Sequence, residues 1–255
     1  MALSLEELER YARHIVLPEI GGPGQQALAR ARVLVVGAGG LGAPALLYLA
    51  AAGVGRITVV DDDAVALSNL QRQPIFTTAD VGRPKAEVAA ERLAALNPHV
   101  TLLPRVLRLD PAAAADSVPA ADLVLDGSDN FPTRYLLNAA CVAAGRPLVA
   151  AAMSRWEGQI ALWHPQGGGP CYACVFPEPP DPGLTPPCAL AGVIGALPGV
   201  MGSMMALEAV KALTGAGRPL RSALLLYDAL DAEVRRIRTR PRADCPVCHG
   251  AGARA

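Results

Sequence analysis

Arg32-Val33-Leu34-Val35-Val36-Gly37-Ala38-Gly39-Gly40-Leu41-Gly42 decides the fold of this 255-residue chain. An apolar run feeds directly into a glycine-rich turn. Gly37 permits the tight turn, Gly39 and Gly40 let a backbone approach phosphate, and Gly42 lets the following helix pack closely on the strand. The start of that helix offers free N–H groups and the positive end of its dipole to an anion. Asp61 ends the next apolar run, Arg56 to Val60, and lies about twenty residues beyond the turn, where an acid can accept hydrogen bonds from a ribose diol. Turn and acid together read as a nucleotide site.

Working outward, strands with continuous Val/Leu character alternate with helices. The strands expected are Arg32 to Val36, Arg56 to Val60, Val100 to Leu107, Asp122 to Asp126 and Leu148 to Ala151. The helices between them are expected at Leu41 to Ala52, Lys85 to Leu96 and Thr133 to Ala144. That alternation indicates a parallel sheet covered on both faces. Upstream, Leu3 to Ile15 reads as one helix, with Ser4 and Glu7 forming a capping box. Gly21-Gly22-Pro23-Gly24 then reads as a turn before a short helix. Beyond Ala151, Arg155 to His164 and Ala223 to Ile237 alternate like antiparallel strands, with a Pro/Gly-rich stretch, Gly167 to Pro187, between them. The expected fold is α/β: a Rossmann-like, mostly parallel sheet with helices on both faces, extended by antiparallel strands in the C-terminal third. Residues 1–255 are read as one domain: a helical arm (1–30), a nucleotide-binding core (31–151), and an extension with a crossover loop and a metal site (152–255).

Hydrophobic residues make up 52% of the chain, enough for one large core, and aromatics only 4%, so that core rests on Ala, Val and Leu. The 23 basic and 23 acidic residues cancel, which removes the electrostatic reason to expect nucleic acid or an anionic membrane. The N-terminus lacks the basic and apolar regions of a secretory signal, so a cytoplasmic protein is expected. Pro187 to Leu207 carries no charge and is long enough to span a bilayer. It is rich in Gly and Ala and is interrupted by Pro198, and we read it as a buried loop and helix.

The turn and Asp61 serve NAD or FAD as well as ATP. Downstream residues weigh toward a triphosphate. Ser68-Asn69-Leu70-Gln71-Arg72-Gln73 is a polar cluster that a dinucleotide site does not call for. Arg72 and Lys85 add positive charge. Asp129, in Asp126-Gly127-Ser128-Asp129-Asn130, follows the C-terminal end of a strand, the edge where open α/β sheets bind ligands, and its carboxylate suits magnesium. Each has an alternative reading: Arg72 or Lys85 as a solvated charge, Asp129 as a turn or cap residue.

Four of the six cysteines form two Cys-x-x-Cys pairs, Cys171/Cys174 and Cys245/Cys248. Two such knuckles fit a closed tetrahedral zinc site of structural rather than catalytic kind. Disulfides are disfavoured without an export signal, and a redox pair is disfavoured because neither pair opens an evident helix after a strand. Cys141 lies in an apolar helix and is read as core. Cys188, after Thr185-Pro186-Pro187 in a loop, reads equally as a thiol nucleophile or a small buried hydrophobe.

Taken in order, Arg10-Tyr11-Ala12-Arg13-His14-Ile15, Gly37 to Gly42, Asp61, Ser68 to Gln73, Lys85, Asp126 to Asn130, Glu157-Gly158-Gln159, both cysteine pairs and Cys188 make nearly the whole chain resemble the MoeB/ThiF family, bacterial relatives of ubiquitin-activating enzymes. The resemblance implies an adenylyltransferase that binds Mg·ATP and adenylates the C-terminal Gly-Gly carboxylate of a small ubiquitin-like sulfur carrier protein. It implies that Gly40 lies at the phosphates, that Asp61 binds the ribose, and that Asn69, Arg72 and Lys85 contact the triphosphate. Gly37, Gly39, Gly42, Ser68, Leu70, Gln71 and Asn130 complete the implied nucleotide site, and Asp129 is the implied magnesium ligand. Arg13 resembles an arginine that reaches into the neighbouring protomer's site, implying a homodimer. Cys188 matches a cysteine that in some members links covalently to the carrier. Some members also carry a C-terminal sulfurtransferase domain. This chain ends soon after Cys248, so a separate protein is expected to donate sulfur. The inventory suits the chemistry, because a C-terminal carboxylate is already ionised at neutral pH and needs no general base. The other readings are an NAD-dependent oxidoreductase and a non-catalytic zinc scaffold that holds a carrier.

Overall fold

The structure is a computed structural model that describes residues 3–180 and 192–249. Its described strands form one eight-stranded sheet in the order β3-β2-β1-β4-β5-β6-β7-β8. Five strands run parallel: β1 (Arg32–Val36), β2 (Arg56–Val60), β3 (Thr101–Arg105), β4 (Leu123–Asp126) and β5 (Leu148–Ser154). Three more continue it antiparallel: β6 (Glu157–Trp163), β7 (Ala223–Asp228) and β8 (Glu233–Arg238). This is the expected class, parallel first and antiparallel in the C-terminal third.

Because successive side chains of a strand point to opposite faces, each strand feeds two cores. Val33 and Val35 of β1 join one core with α3 (Gly21–Arg30), α4 (Gly42–Ala51), α5 (Lys85–Leu96) and α9 (Ala196–Thr214). Leu34 and Val36 join the other, beneath α6 (Pro111–Ser117), α7 (Phe131–Ala144) and the single turn α8 (Tyr172–Val175). Cys141 belongs to this second core, 2% exposed, and burial pushes its thiol up to about 12, as expected of a neutral packing residue.

Helix α9 has the length and hydropathy to cross a membrane, and it is the one such helix among the described residues. It packs as a core helix: a Cβ on Gly202 would sit 2.4 Å from both the Leu41 carbonyl oxygen and Pro44 Cγ, so glycine lets it cross α4 at close range. The buried helix expected within Pro187 to Leu207 is therefore present, beginning at Ala196 and running on to Thr214.

Several expectations are corrected. The N-terminal helix is two, α1 (Leu5–Arg10) and α2 (Ala12–Ile15). The break falls at Tyr11, whose buried ring packs on Gly53 while its hydroxyl accepts from Asn97 Nδ2 at 2.8 Å. Gly21 to Gly24 is the first turn of α3 rather than a separate turn; Pro23 is tolerated there because the first N–H groups of a helix have no internal partner. Helix α6 was not anticipated, although Asp110 caps it by accepting from Ala113 N–H at 2.8 Å and Pro111 opens it. The antiparallel character expected of Ala223 to Ile237 is present, and the stretch folds as a hairpin of two strands, β7 and β8. Cys171 does open a helix, of a single turn.

Candidate active site

Strands β1 and β4 are neighbours although β2 and β3 lie between them in sequence. The chain runs outward on one side of β1 and returns on the other, and such a switch point leaves a crevice at the C-terminal strand ends. Val36 pairs with Val60 on one side and Asp126 on the other, so the turns after β2, β1 and β4 are level. The glycine-rich turn fills this crevice by backbone contact. Gly37 has φ +90°, and a Cβ on it would lie 2.8 Å from the Gly127 carbonyl oxygen. A Cβ on Gly42 would lie 1.7 Å from the Gly37 carbonyl oxygen. Gly40 faces Met153 Cε and Pro198 Cβ, 3.1 and 3.3 Å from where its Cβ would be, so the end of β5 and the first turn of α9 wall the site.

Asp61 follows β2. Its Oδ2 accepts from Ala38 N–H at 2.7 Å and its Oδ1 from Asp63 N–H at 2.8 Å, so the acid is tied to the glycine turn itself. Burial pushes its carboxyl above the usual carboxylate range. Lys85 opens α5 and is 5% exposed; its Nζ lies 2.8 Å from Oδ2 of the exposed Asp63. Residues 68–73 form a loop against the same turn. Asn69 Oδ1 accepts from Ala66 N–H at 3.2 Å, and Arg72 Nη1 donates to the Ser68 carbonyl at 2.9 Å. Leu70 packs against the core, and a Cβ on Gly195 would lie 2.3 Å from the Gln71 carbonyl oxygen. Asp129 is exposed and makes no hydrogen bond or ion pair with the described residues, while Asn130 caps α7 by accepting from Thr133 N–H at 3.0 Å.

Glycine turn, Asp61, the 68–73 loop, Lys85 and the 126–129 turn therefore meet at one edge. Arg13 does not join them. Tyr11 and Gln25, which hold α2, bind around Gly53 and Ala52, where α4 ends. The glycine turn is where α4 begins, about 15 Å away along a ten-residue helix. Cys188 lies outside the described residues.

Three residues were missed. Gln73 was quoted within the loop but given no role. It is 3% exposed, a Cβ on Gly39 would lie 3.5 Å from its Nε2, and its Oε1 has no hydrogen-bond partner among the described residues. A buried acceptor left over beside a phosphate-type turn fits a site built to receive a ligand with donors. Asp126 and Arg134 form a buried ion pair at 3.0 Å that shapes the turn before Asp129. A charged residue inside an apolar helix was the available signal for Arg134.

The four cysteine sulfurs gather beside Asn138 and Val142 of α7, all within 4.8 Å of one another. Cys171 Sγ lies 3.6 Å from Cys245 and 3.8 Å from Cys174, and Cys174 lies 3.5 Å from Cys248. A zinc tetrahedron with Zn–S of about 2.3 Å has edges of about 3.8 Å, so the thiols fit this metal and not disulfides. Burial pushes the Cys171 and Cys174 thiols up. Cys245 sits at about 7 despite its own burial, because the Cys248 and Val247 N–H groups point at its sulfur.

A nucleotide-type α/β sheet with a glycine edge and a cluster of four cysteines defines the class. The chain belongs to the ThiF family, whose model matches residues 11–247. It is 54% identical over 252 residues to the sulfur carrier protein adenylyltransferase of Thermus thermophilus, spanning 97% of this chain and 93% of that one. It is 51% identical over 254 residues to the SAMP-activating enzyme E1 of Haloferax volcanii, spanning 99% and 93%. A crystal structure of E. coli MccB with ATP superposes with a TM-score of 0.83 over 94% of this chain and 73% of that chain; at 24% identity this likeness is one of fold.

Proposed function

We propose that this chain, as a single adenylation domain, uses ATP to adenylate the C-terminal Gly-Gly carboxylate of a small ubiquitin-like sulfur carrier protein. The observation that carries the reading is the meeting of the glycine turn, the Arg72 loop and the Asp129 turn at one switch point. Its relatives are named as adenylyltransferases or activating enzymes, and neither the oxidoreductase nor the scaffold reading gains support from them.

In this reading the turn N–H groups and the α4 N-terminus hold phosphate, and Asp61 accepts from the ribose. Asn69, Arg72 and Lys85 take the triphosphate. Lys85 exchanges an exposed carboxylate partner for phosphate in doing so. Asp129 is the magnesium ligand, and the ion when bound neutralises charge on the phosphates. A carboxylate oxygen of the carrier attacks the α-phosphorus, the bond to the pyrophosphate oxygen breaks, and acyl-adenylate and pyrophosphate leave with no proton transferred. The residues of this site bring two anions together and stabilise the leaving charge.

The four-cysteine cluster holds structural zinc, which when bound joins the 171–174 and 245–248 segments. Arg13, at the far end of its own α4, serves the site of a second copy in a homodimer. A separate protein supplies sulfur, Cys188 is the thiol available for a carrier adduct, and the enzyme works in the cytoplasm without nucleic acid or membrane.

Carrier-dependent exchange of labelled pyrophosphate into ATP tests the reading. Exchange is expected with a cognate Gly-Gly-ended carrier. Asp129→Ala should reduce it by about 100-fold or more while moving stability by less than about 0.5 kcal/mol, because the residue is exposed. No exchange with any such carrier from the same cell overturns it.

A further inference from the structure

Helix α7 touches both centres. Asn130, Arg134 and Asn138 recur at four-residue spacing along one face of it. Arg134 is 5% exposed, and two of its three guanidinium nitrogens are held by hydrogen bonds. Its Nε donates to Asp126 Oδ2 at 3.0 Å, and its Nη2 donates to the Ser128 carbonyl at 3.2 Å and the Ala151 carbonyl at 2.8 Å. The other oxygen of Asp126 accepts from Ser128 N–H at 3.0 Å and from Ser128 Oγ at 2.5 Å. One side chain thus clamps both ends of the turn that presents Asp129. The ring of Tyr172 covers the guanidinium at 5.8 Å from its centroid.

Tyr172 follows Cys171 directly. Its N–H donates to Asn138 Oδ1 at 2.8 Å, and Asn138 Nδ2 lies 3.8 Å from Cys171 Sγ. The route from metal ligand to nucleotide turn is short: Cys171, then Tyr172 and Asn138, then Arg134, then Ser128 and Asp129. Asp129 has no side-chain partner of its own among the described residues, so the backbone of this turn alone sets its place.

We infer that Arg134 is a positioning residue for Asp129 and that, through Tyr172, occupation of the four-cysteine site and of the nucleotide site are thermodynamically linked. Loss of the metal releases the Cys171 knuckle, Tyr172 and Asn138 lose their anchor, and Arg134 is no longer confined. The turn must then be ordered when Mg·ATP binds, at a cost in affinity. Linkage is reciprocal, so bound Mg·ATP must hold the metal more firmly. The inference rests on the reading of Asp129 as part of the Mg·ATP site.

The test sets the zinc-loaded full chain in equilibrium competition with a chelating dye, with and without magnesium-saturated ATP, while calorimetry measures nucleotide binding. Zinc affinity about 5-fold tighter with nucleotide is expected, the low end of ordinary coupling between sites. Tyr172→Leu leaves the bonds of Arg134 to Asp126, Ser128 and Ala151 in place and uncovers its guanidinium; zinc affinity of this variant should become indifferent to nucleotide although both sites still fill. Asn138→Ala breaks the other branch and should show the same loss, which keeps the test sharp if Tyr172→Leu does not fold. A wild type that binds Mg·ATP but holds zinc with one affinity overturns the inference and spares the proposed function. So does a Tyr172→Leu protein that retains the full difference. A wild type that does not bind Mg·ATP overturns both.

Discussion

At the edge between β1 and β4 the backbone shapes the site: a methyl on Gly42 would stand 1.7 Å from a carbonyl oxygen, and one on Gly37 2.8 Å from another. At the four-cysteine cluster the side chains shape it, with sulfurs 3.5 to 3.8 Å apart drawn from segments 74 residues distant in sequence. The first site needs residues to be small; Lys85 there is held by the exposed Asp63, Arg72 by one carbonyl, and Asp129 by no side chain among the described residues. The second needs particular atoms and consumes them all. The two places differ accordingly within one chain: one keeps Asp129 without a described partner and Gln73 Oε1 without a hydrogen bond among the described residues, while the other gathers four sulfurs within 4.8 Å of one another.

The sharpest way to break the contrast is to add one carbon to the backbone site. Gly42→Ala has no room without moving α4 off its turn, and we expect a loss of about 4 kcal/mol, together with loss of ATP binding, read by thermal unfolding and calorimetry. Removing one atom type from the other site comes next. Cys245→Ser should release the metal and lower stability by about 3 kcal/mol, the scale of a lost chain cross-link. Metal content and unfolding midpoints measure it, and unchanged stability would show that the clip is not structural.

The smallest effect lies in the connection between Arg72 and Lys85. Asp80, almost fully buried, accepts from Thr77 Oγ1 at 2.7 Å and Thr77 N–H at 2.8 Å and pairs with Arg92 at 3.0 Å. These bonds, those of Thr77 foremost, hold its carboxyl down to about 2. A lowered carboxyl contributes stability that is present above its unfolded pKa and lost as pH falls through the folded one. Asp80→Asn should therefore cost about 1 kcal/mol at neutral pH, the scale of a lost cap, and flatten the acid dependence of the urea midpoint between about pH 4 and pH 2.

The parallel half of the sheet was legible because its signals are local. Each strand is one apolar run, and the glycines and Asp61 mark the strand ends. The Cys-x-x-Cys spacing was legible for the same reason: two ligands of each pair sit on one tight turn. Several of the features that were missed depend on distant partners, although α6, with its Asp110 cap and Pro111, carried a local signal. The break at Tyr11 exists because Gly53 and Asn97 receive that ring, and neither is near it in sequence. Arg134 reads as an ordinary helix charge until Asp126 and Tyr172 close around it. Gln73 differs from its polar neighbours only in being buried. Gly21 to Gly24 looks like a turn in sequence because glycine and proline break helix interiors, whereas the first turn of a helix tolerates both.

The cysteine clip also alters what a broken backbone means for this protein. Residues 171–174 and 245–248 bracket helix α9 and the β7–β8 hairpin, so a metal held between them turns that stretch into a closed ring. A protease that cuts this ring once would leave the two fragments joined through the metal, in addition to the β6–β7 pairing and the packing of α9 on α4. A chelator would remove only the first of these ties. With metal bound, the cluster would give the chain the cross-link that secreted proteins obtain from cystine, by a bond that a chelator, rather than a reductant, undoes.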